Sequence, residues 1–421
     1  MAEEKAVTET VLVVGGGMSG VTAAVEVAEV GYDVMLVEKR PYLGGRVAQL
    51  YQYFPKLCPP LCGMEINYKR IKNNPRIRVF TLAEVQSISG QEGNFDVAIK
   101  ISPRYVNENC TCCGECAKVC SLEIPSEFDY GMKKIKAAYL PYEMAFPMRY
   151  VLAPEIIGTE DAKRCLEACK YDAIDLEMKP KEFTTKVASI IWATGWKPYD
   201  ATKIDNLGFG QYKNIITNVM MERLAAPGGP TNGKIVRPSD GGAISSVAFV
   251  QCAGSRDENH LPFCSNICCL ASMKQAHYVR EQYPNAEIYI FYIDVRPFGR
   301  FEDFYTRIQG ENVNFIKGKI AKVEEDPNTK KVTVEAEDIL SVTKMRKTVD
   351  LVVLATGMAP TTIDEKLPFE ATYDDLGFLV SDLQKPGIYP AGCVRKPMDV
   401  MTSVKDATAA ALKAIQSVVR R

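Results

Sequence analysis

The clearest pattern in the chain is a series of short, wholly apolar runs that end in glycine-rich turns. Residues 10–14 read TVLVV and lead into GGGMSG, after which apolar residues recur at helical spacing through GVTAAVEVAEVG. A second apolar run, DVMLVE, follows at residues 33–38. Continuous apolar runs of this length are typical of strands buried on both faces of a parallel sheet. The pattern therefore predicts an α/β protein built on doubly wound parallel sheets.

Glycines follow the first strand at positions that suit a dinucleotide. Gly15, Gly17 and Gly20, with Met18 and Ser19 among them, form the pattern GxGxxG at the start of the predicted helix. Glycines there permit a tight turn and let backbone N–H groups approach a diphosphate, which the helix N-terminus stabilises. A turn that only packs a helix on a sheet is the alternative, but the complete order of strand, turn, helix and strand favours nucleotide binding.

An acidic residue ends the second strand and a second glycine turn follows it. Glu38 is placed to accept hydrogen bonds from a ribose hydroxyl, with Lys39 beside it. The segment KRPYLGGRV then supplies Gly45 and Arg46. This turn resembles the second glycine turn of two-dinucleotide flavoproteins, in which Arg46 would be available to the phosphates. These features favour FAD over a nicotinamide nucleotide.

Later strand ends resemble the same flavoproteins. VASIIWATG ends in Thr194 and Gly195, and VDLVVLATG repeats the ATG ending at residues 355–357. Near the C-terminus, GIYPAGC resembles the closing flavin motif GxYxxGD. Gly392 matches that motif, whereas Cys393 stands where the family has the aspartate that holds the ribityl chain.

A helix is expected to begin near Met401, after this closing motif. Ser403 and Val404 fall in its first turn. Its N-terminus would point at the isoalloxazine ring, where N–H groups and the helix dipole stabilise the reduced anionic flavin. Ser403 and Val404 are therefore candidate cofactor-binding residues.

The charge balance excludes several function classes. Lys and Arg number 51 against 52 Asp and Glu, so no long-range field favours nucleic acid or an anionic membrane. The segment MAEEKAVTET carries acids where a secretory signal is basic. The apolar runs are far shorter than the roughly 20 residues of a membrane helix. We expect a cytoplasmic protein that neither binds nucleic acid nor spans a membrane.

Fourteen cysteines indicate metal ligation or redox chemistry, because the reducing cytosol disfavours structural disulfides. Cys110, Cys113, Cys116 and Cys120 have the spacing CxxCxxCxxxC of a bacterial ferredoxin. This spacing lets one short loop wrap three thiolates around a 4Fe–4S cluster. A cysteine-rich loop without metal is the alternative.

A second copy of the ferredoxin motif has decayed. Thr159, Ala162, Cys165 and Cys169 repeat its spacing, but threonine and alanine cannot ligate iron. In the crossed ferredoxin pattern, the last cysteine of one motif completes the cluster of the other. We therefore expect one 4Fe–4S cluster in this insertion, with Cys169 favoured over Cys120 as the fourth ligand and the choice left open.

A further group of cysteines lies where the nucleotide domain of a disulfide-reductase-like fold should begin. The strand SSVAFVQ is followed by Cys252 instead of a glycine turn, and Cys264, Cys268 and Cys269 come after it. Because ligands bind at the carboxyl edge of parallel strands, Cys252 occupies the position of an NAD diphosphate. Cys264 and Cys268, spaced i and i+4, are expected on one face of a helix N-terminus.

We interpret this second group as ligands of another 4Fe–4S cluster, whose negative charge a helix N-terminus favours. A redox-active thiol set and inert buried cysteines are the alternatives. Lys274, farther along the helix, could stabilise a reduced cofactor, but a solvated lysine is the simpler interpretation. Cys58 and Cys62 receive no assignment.

These motifs divide the chain into five segments. We expect a first FAD-binding segment (8–100), a ferredoxin-like insertion (101–180), a second FAD-binding segment (181–235), a nucleotide-domain-like module with the second cysteine group (236–345) and a closing FAD-binding segment (346–421).

The combination of motifs is more specific than any one of them. GGGMSG, the ferredoxin insertion, VQCAGSRDE, CSNICC and GIYPAGC together resemble the A subunit of heterodisulfide reductase and its relatives over essentially the whole chain. The sequence does not contain the additional ferredoxin motifs with which the methanogen subunits usually extend. In this shorter form it looks like the A subunit of the quinone-interacting membrane-bound oxidoreductase (Qmo) of sulfate reducers.

This resemblance implies electron transfer between protein redox centres, with no catalytic acid or base. The implied partners are a haem-bearing membrane subunit that holds the complex at the inner membrane face, another subunit with flavin and iron–sulfur centres, and adenylylsulfate reductase. An electron-bifurcating flavin subunit and an NAD(P)H-dependent disulfide reductase are alternatives, as is a scaffold with vestigial cofactors. The direction of electron flow and the oligomeric state stay open.

Overall fold

The computed structural model describes residues 9–338, 343–365, 367–381 and 384–419. The chain forms two compact units. The first contains the described residues up to Ala48, Leu61–Trp196 and those from Pro360 onward, and the second contains Gln49–Pro60 and Lys197–Ala359. Both units are therefore built from segments that are distant in the sequence.

The helices and strands are numbered in chain order. The helices are α1 (Met18–Glu29), α2 (Pro60–Asn73), α3 (Glu115–Val119), α4 (Glu160–Ala168), α5 (Asn218–Ala225), α6 (Cys268–Gln282), α7 (Phe301–Gly310) and α8 (Val400–Val419). The strands are β1 (Val11–Val14), β2 (Val34–Glu38), β3 (Ile77–Thr81), β4 (Ala83–Gln91), β5 (Asn94–Ile101), β6 (Glu123–Pro125), β7 (Lys134–Lys136), β8 (Ala138–Tyr139), β9 (Val151–Leu152), β10 (Lys181–Val187), β11 (Ser189–Trp192), β12 (Trp196–Pro198), β13 (Ile215–Thr217), β14 (Ser246–Ala253), β15 (Glu287–Tyr292), β16 (Val313–Lys317), β17 (Ile320–Glu325), β18 (Val332–Asp338), β19 (Thr343–Val349), β20 (Leu351–Thr356), β21 (Met358–Pro360) and β22 (Ile388–Pro390).

The first unit is centred on a five-stranded parallel sheet in the order β22-β11-β1-β2-β3. Successive side chains of β1 point to opposite faces of this sheet. Val11 and Val13 join a core with α1 and α8, whereas Leu12 and Val14 join a core with the antiparallel strands β4, β5 and β10. Both faces are covered, which explains why β1 is apolar at every position.

The segment predicted as a ferredoxin-like insertion leaves and re-enters one antiparallel sheet of the first unit at the same place. Strands β5 and β10 pair antiparallel, and Ile101 at the end of β5 lies opposite Lys181 at the start of β10. The intervening residues contain α3, α4 and two small two-stranded sheets, β6-β7 and β8-β9. The ends of this segment are thus held together by the sheet that carries it.

The second unit repeats the plan of the first. Its parallel sheet has the order β13-β20-β14-β15-β16, and an antiparallel sheet β17-β18-β19 packs with it around one apolar core. Two parallel sheets with the same layout are the architecture of flavoproteins with two dinucleotide-binding domains. The predicted α/β class is confirmed.

Within the described residues, no helix is both long enough and apolar enough to cross a membrane.

A buried ion pair lies between α5 and α6 in the second unit. Lys274 Nζ is 3.0 Å from Glu222 Oε1, and these side chains are 5% and 3% exposed. Lys274 also donates to the Gln52 carbonyl at 2.7 Å, and Glu222 accepts from Gln275 Nε2 at 2.7 Å and from the Tyr51 N–H at 3.0 Å. The interpretation of Lys274 as a solvated lysine is therefore wrong.

Replacement of Lys274 by methionine should destabilise the second unit. Glu222 would lose its buried cation, and removal of one partner of a buried ion pair costs about 3–5 kcal/mol in comparable cases. We expect a lower thermal unfolding midpoint by circular dichroism. The matched control is Lys322→Met, which removes the lysine of an exposed pair with Glu324 (58% and 54% exposed) in the same unit. Equal midpoints for the two variants would show that the buried pair is not structural.

Candidate FAD and cysteine sites

The turn between β1 and α1 is shaped by contacts that only glycine allows. A Cβ atom on Gly15 would lie 2.4 Å from the Ala193 carbonyl oxygen. One on Gly20 would lie 1.7 Å from the Gly15 carbonyl oxygen. Side chains at either position would push the helix away from the strand. The glycine pattern therefore fixes how closely α1 approaches the sheet.

The two glycine turns predicted for the cofactor phosphates meet in the first unit. A Cβ on Gly45 would lie 2.9 Å from Gly17 Cα, and Gly45 has a φ of +53°. Gly17 occupies the N-cap position of α1 and makes no side-chain hydrogen bond to the first N–H groups of the helix. These N–H groups can therefore bind a diphosphate, as helix N-termini commonly do.

Glu38 connects the end of β2 to the glycine turn. Its Oε2 accepts the Gly16 N–H at 2.5 Å and its Oε1 accepts the Arg40 N–H at 2.7 Å. Burial raises the pKa of the Glu38 carboxyl, while these hydrogen bonds favour the charged form and act in the opposite direction. Each oxygen retains a lone pair that can accept a hydrogen bond from a ribose hydroxyl.

Arg46 and Lys39 have different surroundings. Arg46 donates from Nε to the Trp196 carbonyl at 2.7 Å and from Nη1 to the Tyr130 hydroxyl at 3.2 Å. The side chain of Lys39 is 63% exposed and forms surface ion pairs with Glu84 and Glu365. Tyr130 belongs to the inserted segment, and no sequence motif marked it.

The ATG strand and the closing motif lie near the same turn. Thr194 Oγ1 is 2.9 Å from Thr361 Oγ1, and the Gly195 carbonyl accepts the Thr361 N–H at 3.3 Å. A Cβ on Gly392 would lie 2.1 Å from Ser19 Oγ, so the closing turn abuts the first turn of α1. Six predicted cofactor residues, Gly15, Gly17, Met18, Ser19, Gly20 and Gly392, thus cluster at this end of α1.

Cys393 is buried beneath the closing turn. Its thiol donates to the Met398 carbonyl at 3.4 Å and lies 3.5 Å from Ser403 Oγ. Burial raises the pKa of this thiol. Val404 follows Ser403 in α8 and is half-buried.

A carboxylate does hold this turn, but it comes from α8. Asp406 Oδ2 accepts the Gly392 N–H at 2.7 Å, and its other oxygen pairs with Arg395. The sequence motif did not indicate Asp406, because it places the acid in the turn and not on the following helix. The available signal was an acidic residue within an otherwise small and apolar helix face.

The first cysteine loop gathers its thiols in the insertion. Cys112 has a φ of +58° and Gly114 a φ of +80°, so the loop curls through left-handed backbone conformations. Burial raises the pKa of Cys116 to about 12, and the nearby thiols of Cys110 and Cys113 add to that effect. The three predicted ligands from this loop are therefore close enough to interact electrostatically.

The decayed motif lies beside this loop. An isolated antiparallel bridge joins Val106 to Ile174, and the Asn107 N–H donates to the Ala173 carbonyl at 2.7 Å. The Cys169 sulfur accepts the Ala173 N–H at 3.4 Å. The bridge brings the chain just before Cys110 next to the chain just after Cys169.

The remaining positions of the two motifs have structural roles. Cys120 and Cys165 are 3% and 0% exposed within the apolar core of the insertion. Thr159 caps α4 by accepting the Ala162 N–H at 3.4 Å. The two positions at which the motif lacks cysteine, Thr159 and Ala162, thus lie at the start of α4.

The second group of cysteines lies at one edge of the second parallel sheet. Cys252 lies at an irregularity near the end of β14 and has a φ of +57°. Cys268 and Cys269 open α6, whereas Cys264 precedes that helix. The expectation that Cys264 shares the first helical turn is therefore wrong, although all four thiols reach one cavity. Its lining is formed by Cys252, Ser255, Arg256, Cys264, Ser265, Asn266, Cys268, Cys269, Asp294 and Arg296.

The four thiols influence one another in this cavity. Burial raises the pKa of Cys252 to about 11, with Cys269 and Cys264 adding to the shift and Arg256 opposing it. Burial also raises the pKa of Cys268 well above its usual value. Cys268 donates to the Thr356 carbonyl and Cys269 to the Asp294 carbonyl, each at 3.6 Å. Burial thus disfavours the thiolate forms of Cys252 and Cys268 in this arrangement.

In the part of the chain that the structure describes, no three His, Cys, Asp or Glu side chains stand in the geometry of a metal site. The donor set nevertheless suits an iron–sulfur cluster, because four sulfur atoms line one cavity. A metal must displace the thiol protons before it can bind. The structure therefore provides the donors and the cavity without a closed ligand shell.

Comparison with solved structures defines the fold. Thioredoxin reductase from T. acidophilum matches with a TM-score of 0.55 at 16% identity, covering 98% of this chain and 99% of the other. Thioredoxin reductase from Lactococcus lactis gives 0.54 at 15% identity, covering 98% and 100%. The family model for FAD dependent oxidoreductases matches residues 10–71, which contain the glycine turns and Glu38. The chain thus has the two-domain fold of these flavoproteins, and residues 10–71 match the FAD dependent oxidoreductase family.

Sequence relatives identify the family. The iron–sulfur A subunit (number 2) of CoB–CoM heterodisulfide reductase from Methanopyrus kandleri is 41% identical over 97% of this chain and 64% of the relative. The corresponding protein from Methanocaldococcus jannaschii is 39% identical over 96% of this chain and 64% of the relative. The chain belongs to the family of heterodisulfide reductase A subunits. It spans somewhat less than two thirds of the length of these relatives.

Substitution of Gly20 by alanine should weaken FAD binding. The new Cβ would lie 1.7 Å from the Gly15 carbonyl, so the turn must open and its N–H groups must move. We expect at least about a tenfold higher Kd for FAD, measured by fluorescence titration of the apoprotein, which corresponds to about 1.4 kcal/mol. Gly310→Ala is the matched control, since no atom lies within 4 Å of its added Cβ. Unchanged affinity in the Gly20 variant would remove this turn from the FAD site.

Proposed function

We propose that this chain is an electron-transfer subunit that carries FAD and two 4Fe–4S clusters within a multisubunit oxidoreductase. The observation that carries the proposal is the second cysteine group: four thiols line one cavity at the sheet edge where a nucleotide domain binds its nucleotide. The Methanopyrus and Methanocaldococcus relatives are named as iron–sulfur subunits, which supports it.

The first unit would bind FAD, and the second unit would bind one of the clusters. In the first unit, the N–H groups at the start of α1 would bind the FAD diphosphate and Glu38 the ribose, while the closing turn held by Asp406 borders the same region. FAD, when bound, would convert between one-electron and two-electron transfer. The four cysteines of the second unit would hold one cluster as thiolates.

The insertion would hold the other cluster through Cys110, Cys113, Cys116 and Cys169. Cys169 is preferred to Cys120 because the Cys120 side chain is buried in the apolar core of the insertion. Cys110, Cys116 and Cys169 lie at the margin of that core. The five-segment division of the chain remains our proposal for its domains.

We further propose that the complex links a membrane quinone pool to a soluble acceptor such as adenylylsulfate reductase. The support is the resemblance to the A subunit of the quinone-interacting oxidoreductase of sulfate reducers. The partners are then a second flavin and iron–sulfur subunit and a membrane haem subunit, which hold this chain at the inner face of the membrane.

The proposed function predicts that nicotinamide nucleotides do not reduce the flavin. Cys252 lies near the end of β14, and no GxGxxG pattern follows this strand, so the usual site of an NAD diphosphate is absent from the sequence. The test mixes anaerobic holoprotein with NADH or NADPH and then with dithionite-reduced viologen. We expect the flavin absorbance to fall only with the viologen, with an NADPH-dependent thioredoxin reductase as positive control. Rapid bleaching by either nucleotide would make the chain a nicotinamide-dependent reductase.

The assignment of the fourth ligand in the insertion predicts unequal effects of two cysteine substitutions. Cys169→Ser should remove about four iron atoms per chain, because one cluster loses a thiolate ligand. Cys120→Ser should leave the iron content unchanged, and Cys165→Ser serves as a second core control. Iron and acid-labile sulfide are measured after anaerobic purification. Loss of iron in the Cys120 variant and its retention in the Cys169 variant would reverse the assignment.

A further inference from the structure

The side chain of Arg256 lies in the wall of the second cysteine cavity. It is 23% exposed and belongs to the loop that follows β14. The backbone of Arg256 has a φ of +55°, and its N–H donates to the Phe263 carbonyl at 3.0 Å. A left-handed conformation is unusual for an arginine, so surrounding contacts hold this residue in place.

One side of the Arg256 guanidinium is held by a carboxylate. Its Nη2 donates to Asp294 Oδ2 at 2.9 Å. Its Nη1 is buried and has no hydrogen-bond partner among the described residues. Because a buried charged donor without an acceptor is costly, Nη1 indicates an acceptor that belongs in the cavity.

Four cysteines, Cys252, Cys264, Cys268 and Cys269, line the same cavity as Arg256 and could supply sulfur acceptors. Arg256 and Cys252 lie in the wall of one cavity, so the positive charge of the guanidinium favours a negatively charged sulfur there. Arg296 lines the same cavity, but its side chain is 45% exposed and lies 3.6 Å from Asp294. Solvent therefore screens Arg296 more strongly than Arg256.

We propose that Arg256, oriented by Asp294, donates a hydrogen bond to the sulfur of the cluster held by Cys252, Cys264, Cys268 and Cys269 and raises its reduction potential. This inference rests on the proposed second cluster. On reduction, one electron enters the cluster, its net charge becomes one unit more negative, and no bond forms or breaks. A fixed cation and hydrogen bonds to sulfur stabilise the more negative state.

The test is an anaerobic redox titration of the full-length holoprotein, with dithionite as reductant and electron paramagnetic resonance as readout. Arg256→Gln removes the charge, whereas Arg256→Lys keeps it without the planar fork. We expect one cluster to shift to lower potential in Arg256→Gln and less far in Arg256→Lys. The cluster of the insertion serves as an internal reference and should not move. Arg296→Gln, the matched control, should shift the potential less than Arg256→Gln.

Failure of this inference and failure of the proposed function give different results. Wild-type potentials in both Arg256 variants, at full iron content, would overturn the inference and leave the proposed function standing. If Arg256→Gln loses its iron, the reduction potential measured in Arg256→Lys decides, because a wild-type potential in that variant also overturns the inference. Absence of a second cluster from the wild-type chain would instead overturn the proposed function.

Discussion

Four cysteines around one cavity, two of them buried, are the constraint on which the chemistry of the second unit depends. The end of β14 supplies Cys252, the following loop Cys264, and the start of α6 Cys268 and Cys269. Burial disfavours the thiolate forms of Cys252 and Cys268, and a nearby positive charge favours them. The wall of the cavity also contains Arg256, whose charge counters that of the sulfur atoms.

The two units share a layout and use it differently. Both place a parallel sheet beside an antiparallel three-stranded sheet. In the first unit the turn after β1 consists of glycines, which expose N–H groups for an anion. In the second unit the residue at the equivalent strand end is a cysteine, and the other cysteines of its group lie at the same edge of the sheet. Under the proposed function, changes at one edge of the sheet turn a nucleotide fold into a metal-binding fold, while the apolar strands that form its core stay the same.

The sequence predicts those features that depend on local pattern. The apolar runs of β1, β2, β11, β14 and β20, the glycine turn and the acid at Glu38 follow from spacing and burial rules, and the parallel α/β fold is confirmed. Features that depend on tertiary contact were missed or misjudged. Lys274 looks like a surface residue until Glu222 is seen beside it, and Asp406 reaches the closing turn only because α8 packs there. The start of α6 after Cys264 was also misplaced, because cysteine spacing alone does not distinguish a loop from a first helical turn.

The most direct test of the central claim is a Mössbauer spectrum with iron and FAD quantitation on the anaerobically purified, iron-57-labelled chain. Two 4Fe–4S clusters correspond to about eight iron atoms per chain, so the account predicts that value, about one FAD, and a spectrum of 4Fe–4S clusters. About four iron atoms that disappear on substitution of Cys116 would confine iron to the insertion and contradict a cluster at Cys252. A chain with FAD and no iron would contradict the account entirely.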